Sequence, residues 1–166
     1  GTYLSDSTLR LMKAKGIWLV PTLSTLVGLT QPGGDYDDPV LVLRGQHMVP
    51  RLEETIRRAH AMGVRMVTGA DTDYGPESVT RIAHEVMRFA GLGLTPLEAL
   101  AAATSGAAEL LGIGNRTGRV AVGLEADLIV LERNPLDDPA ALQDVLTVIT
   151  DGRVVLNRLP FGRAPR

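Results

Sequence analysis

Apolar positions first recur in a helical pattern in "SDSTLRLMKAKG", where Leu9, Leu11 and Met12 follow a capping residue, Ser5 or Asp6. A basic last turn and Gly16 close that stretch, so a short amphipathic helix is predicted there. "IWLVPTL" follows as a brief apolar strand, ended by Pro21. From Ser24 to Pro39 the chain is rich in Gly, Pro and Asp and reads as a long loop. "DPVLVLRGQHMVPRLEETIRRAHAMG" returns to helical spacing, with Pro50 the one point where an interruption is possible and an end at Gly63. "VRMVTGA" is the second strand. A helix over "GPESVTRIAHEVMRFAGLG" is expected to start near Pro76 and stop at Gly91. "TPLEALAAATSGAAELLGIG" is the next helix, with Thr95 as cap, Pro96 at the first position and Glu98 at the capping-box position.

Strand and helix alternating at this spacing is the pattern of a parallel βα sheet. The character changes after Gly114. "GRVAVGLEADLIVLERNP" and "VLTVITDGRVVL" are short β-rich runs, with "TDGR" a tight hairpin. Two organisational units are therefore expected, an α/β part over 1–117 and a small β part over 118–166. Two parallel strands cannot close a barrel, which needs about eight. The α/β part thus reads as a piece of a larger fold.

Composition narrows the classes. The chain has 166 residues, 45% hydrophobic and 22% charged, with a net charge of −2. Basic residues are scattered, which argues against a nucleic-acid or polybasic membrane partner. Cysteine is absent, so disulfides and thiolate metal sites are excluded, in keeping with a cytoplasmic protein. The uncharged run from Gly16 to Gly34 contains Pro21 and Pro32 and is read as strand and loop, not as a membrane span. The opening residues do not have the form of a signal peptide.

The chemistry-bearing stretch is "VTGADTDYG", residues 67–75. Asp71 stands where a buried strand ends, and catalytic groups of barrel folds sit at that end of the strands. Asp and Gly also serve as plain turn residues there. Asp73 and Tyr74 follow in the same loop. The histidines, His47, His60 and His84, all fall on predicted helices, far apart in sequence. "HEVMR" lacks the second histidine of a zinc-protease H-E-x-x-H, since position 88 is Arg.

"VTGADTDYG", "HEVMRFAGLGLTPLEALAAATSGAAELLGI", "GRVAVGLEADLIVLERNPL" and "VITDGRVV", in this order, resemble the C-terminal half of the amidohydrolase superfamily. The nearest likeness is to its imidazolonepropionase- and prolidase-like branch. The resemblance implies the C-terminal part of a metal-dependent (β/α)8 TIM-like hydrolase barrel plus part of a small composite β-sandwich. "IWLVPT" and "VRMVTGA" would be the last two barrel strands. It implies a divalent metal, Zn²⁺, in the intact enzyme, with its histidine ligands on upstream strands that are not in this chain. Asp71 would touch that metal and shuttle the proton in hydrolysis of an amide or dipeptide C–N bond. Thr22, Tyr74 and His47 would face the substrate, and Asp127 would be structural.

The expected partners are therefore a small-molecule amide or dipeptide and the missing N-terminal half of the barrel. Alone, the chain is expected to be inactive, to hold no metal and to self-associate. A non-catalytic association module, or a deaminase on the same fold, are the alternative readings.

Overall fold

The computed structural model describes residues 1–30, 38–71 and 81–159. Helices come first. α1, Asp6–Lys15, is capped by Ser5, whose hydroxyl accepts from the Thr8 amide at 3.2 Å. It ends on Gly16, which adopts a left-handed φ of 65°. Residues 17–20 then run parallel to residues 64–67. The Leu19 amide donates to the Arg65 carbonyl at 2.9 Å, and the Val67 amide to the Leu19 carbonyl at 3.1 Å. Two strands are expected from the sequence, but the pairing is a single parallel bridge, Leu19 to Met66. The Thr68 amide turns instead to the Ala102 carbonyl, at 3.2 Å.

Three other expectations are corrected. The long loop from Ser24 is in its first part a helix, α2, Leu23–Gly28. Six residues that include Thr25, Val27 and Gly28 would not hold a helix alone. Packing holds this one: Gly45 lies so close that an added Cβ would meet the Leu26 carbonyl at 3.1 Å and Thr30 Cγ2 at 2.8 Å. Residues 31–37 lie outside the described residues.

The second correction concerns α3, which runs unbroken over Pro39–Met62 through Pro50. An interior proline costs about 3 kcal/mol. The turns just after it bury Leu52 and Ile56 completely, worth about 1.5–3 kcal/mol each. That burial is enough to carry the helix through. Gly63 ends it at φ 72°, as the pattern predicts.

Thirdly, the helix expected over 95–114 is broken at Thr104 into α5, Pro96–Ala103, and α6, Ser105–Leu110. Thr, Ser and Gly are poor interior residues, and the Thr104 hydroxyl donates back to the Leu100 carbonyl at 2.8 Å. The bend receives Gly118, where a Cβ would strike Ala108 Cβ at 2.5 Å. The capping box of α5 is present as expected, with Thr95 N donating to Glu98 Oε2 at 2.7 Å. Before it comes α4, Ile82–Gly91. Residues 72–80, Pro76 among them, lie outside the described residues.

The C-terminal region is an antiparallel meander of β1, Leu128–Leu131, β2, Val145–Thr150, and β3, Arg153–Asn157, in the order β1-β2-β3. Leu128 pairs with Ile149 and Thr150 with Arg153. The turn between β2 and β3 places Asp151 and Gly152 at φ 49° and 72°, the positive angles a tight two-residue hairpin requires. Asp127 Oδ1 accepts from the Asp151 amide at 2.9 Å, so this carboxylate holds the hairpin tip.

The core lies between the bridge and the helices. Leu9, Leu19, Leu23, Leu52, Ile56, Met66, Val86, Phe89, Leu94 and Ala99 form one buried cluster. No described helix is long and apolar enough to cross a membrane.

Candidate functional site

Both parallel segments end in the same way. After 17–20 the chain passes Pro21 to Thr22, at φ 52° and ψ 47°. After 64–70 it reaches Asp71, at φ 48°. Asp visits the left-handed region with some ease, but a β-branched Thr there is a real outlier. Such residues cost about 1–3 kcal/mol each and persist only where their surroundings enforce them. Here the enforcement is visible. Gly69 runs so close to the first segment that an added Cβ would meet Thr22 Cγ2 at 2.5 Å and Val20 Cγ1 at 2.8 Å. Thr25, one turn into α2, donates its hydroxyl to the Ala70 carbonyl and reaches the Asp71 carbonyl at 3.4 Å. The two predicted strand-end residues, Thr22 and Asp71, thereby close neighbouring segments at the same end of the pair, termed the mouth below, with Asp71 exposed.

A third residue belongs to this mouth, and the sequence reading passes over it. Glu85, on α4, is fully buried. Its Oε1 accepts from the Leu23 amide at 2.9 Å and its Oε2 from the Ser24 amide at 2.8 Å. Thr22 makes no side-chain cap to α2: its backbone is left-handed where a capping residue is extended, and its hydroxyl donates to the Pro21 carbonyl at 2.7 Å. A carboxylate 61 to 62 residues away does so instead. Burial pushes the Glu85 carboxyl above its ordinary range, although the two amides and the Arg88 charge pull against it. Burial also lowers Arg88. The signal was present: Glu85 lies on the same face of α4 as Val86 and Phe89, both buried. A charge on an apolar face needs a partner.

The remaining candidates are dispersed. His47 is exposed on α3; its carbonyl accepts from Arg51 Nη1 at 2.7 Å, and no described hydrogen bond or ion pair joins it to Asp71. Tyr74 and Asp73 lie outside the described residues. His60 Nε2 sits 3.5 Å from Glu98 Oε1, and His84 Nδ1 accepts from the Arg81 amide at 3.3 Å. Both rings are thus engaged in local structure. Among the described residues no cluster of three or more His, Asp or Glu side chains could hold a metal ion. One carboxylate does not make a zinc site, which takes three or four protein ligands. The residues present therefore do not fit a metal on their own.

Two hollows lie away from the mouth. One, of 750 Å³, is lined by Trp18, His60, Arg65, Glu98 and Glu109 where the parallel segments begin. Another, of 950 Å³, separates α5 and α6 from β1.

Parallel segments packed among helices, ahead of an antiparallel sheet, make this a mixed α/β chain. The chain belongs to the amidohydrolase family, whose profile matches residues 1–155. It is 33% identical over 150 residues to the ochratoxinase of Aspergillus niger, covering 86% of this chain and 29% of that protein. It is 39% identical over 70 residues to the imidazolonepropionase of Aliivibrio salmonicida, covering 39% of this chain and 16% of that protein. Among solved structures, a Xaa-Pro dipeptidase with bound methionine in its active site superposes with a TM-score of 0.82 at 28% identity. That match covers 95% of this chain and 39% of the dipeptidase. The chain therefore spans well under half of the relatives it matches.

Proposed function

We propose that this chain is the C-terminal part of a hydrolase that cleaves an amide or peptide-type C–N bond of a small molecule, with Asp71 as its proton shuttle. The observation that carries the reading is the mouth itself, where two strained strand ends present an exposed carboxylate. In the proposed step a water oxygen attacks the carbonyl carbon and its proton passes to Asp71. The carbon–nitrogen bond breaks as that proton is delivered to the departing nitrogen. Positioned proton transfer of this sort contributes about 10²–10⁴-fold. The described residues do not form a metal site, so no step is assigned to a metal; Asp71 would give an ion one carboxylate and no more. Thr22 lines the mouth beside it. The chain divides at 117/118 in this reading, the α/β part carrying the chemistry and the sheet supporting it. Exposed apolar side chains such as Val120, Ile129, Val154 and Val155 fit a chain whose other half covers them.

The test is Asp71→Asn in the full-length protein, assayed on glycyl-proline and on an N-acylated amino acid. The expected result is a fall in kcat of about 10²–10⁴-fold with an unchanged circular dichroism spectrum. A variant as fast as the wild type, or a wild type that cleaves neither substrate, would overturn the reading.

A further inference from the structure

A buried glutamate is a costly way to cap a six-residue helix. An ionised carboxylate taken out of water loses solvation that only charge-assisted hydrogen bonds offset. A local Ser, Thr or Asp in the usual extended capping conformation before α2 would bond the amide of Ser24 or Thr25 from the surface, and would leave that of Leu23. That position holds Thr22, which is left-handed and makes no side-chain cap. The cap is supplied across the core from α4 instead.

What this arrangement does follows from the bonds that continue beyond it. Glu85 holds the Leu23 and Ser24 amides at 2.9 and 2.8 Å. One residue on, Thr25 donates to the Ala70 carbonyl and approaches that of Asp71. Leu23 and Phe89 anchor the two ends of this link in the core, and both are completely buried. We infer that Glu85 is a positioning residue, whose carboxylate fixes the first turn of α2 and through Thr25 holds the backbone of Asp71 in its left-handed conformation. Glu85 does not touch the mouth's solvent side, so it acts through Thr25 and takes no part in the chemistry. Its importance for turnover rests on the function proposed above; its hold on the backbone does not.

The first amides of a helix have no partner within the helix and ordinarily exchange freely with water. In the wild-type protein, hydrogen exchange followed by NMR should instead find Leu23 and Ser24 protected to within about tenfold of Val86 and Phe89, as parts of one cooperative unit. Glu85→Gln keeps the shape but turns an amide nitrogen toward one backbone N–H. Exchange at Leu23 and Ser24 should then accelerate at least tenfold relative to Phe89, and the Asp71 backbone resonances should shift. Val86→Ala, a core truncation on the neighbouring position, should lower global stability while leaving the Asp71 resonances in place. Glu85→Asp, which retains the charge, should restore part of the protection. Free exchange at Leu23 and Ser24 in the wild type would overturn the inference without any variant having to fold. So would an Asp71 signal that moves equally in Glu85→Gln and Val86→Ala. If Asp71→Asn proves fully active while the exchange pattern is as expected, the proposed reaction fails and the positioning role stands.

Discussion

The helical region around the parallel bridge and the three-stranded sheet are built to different degrees of closure. In the first, Leu9, Leu23, Leu52, Ile56 and Phe89 converge on one cluster, and even a carboxylate is sealed inside it. In the second, every residue of β3 is exposed, and of the three strands only Thr147 is buried. The sheet has its ladder and its hairpin but no covering layer of its own. Backbone pairing alone can define strands, register and turn, whereas strained segment ends need a packed interior behind them. The candidate chemistry sits in the region that has one.

Phe89→Ala gives the largest expected effect on that contrast. Removing a completely buried ring should cost about 3–5 kcal/mol, read in urea denaturation by the fluorescence of Trp18, which stacks under Arg65 at 4.0 Å in the same region. A loss below about 1 kcal/mol would mean the cluster is not the source of stability there.

Two glutamates of the helical region, Glu98 and Glu85, give an intermediate effect, through pH. Glu98 is held below its ordinary value of 4.5, chiefly by the Thr95 amide and then by the Thr95 hydroxyl. A group lowered in the folded state binds its proton less tightly than in the unfolded chain. Its contribution is present above pH 4.5 and is lost as pH falls through the folded value. Glu85 is raised by burial and has the opposite sign: its contribution declines as pH rises from 4.5 toward the raised value. Thermal melts below pH 4.5 should therefore show a smaller acid-side loss in Glu98→Gln than in the wild type. An identical acid limb would show that the capping box does not titrate as a unit.

Val155→Thr marks the small end. Val155 is 63% exposed on β3, and an exposed substitution of this kind should stay within about 0.5 kcal/mol. A cost well beyond that in the same denaturation assay would mean that this face is covered in solution, and the contrast between the two regions would narrow.

What the sequence determines by itself is everything written in nearest neighbours. Ser5 and Gly16 bound α1, the Thr95–Glu98 box starts α5, and Gly63 stops α3, because each acts on amides or carbonyls within one turn. Asp151–Gly152 sets the hairpin, since positive φ at both positions suits few residues. That Asp71 follows an apolar segment was legible from the pattern, and the family from the order of its motifs. Tertiary structure alone decided the rest. α2 exists because Glu85 and Gly45 support it from other helices. Pro50 is tolerated because the turns after it are buried. Thr104 breaks a helix where Gly118 packs against the bend. In each case a partner tens of residues away, or an outright burial, contributes more free energy than the local preference it overrides, and no periodicity along the chain records that partner.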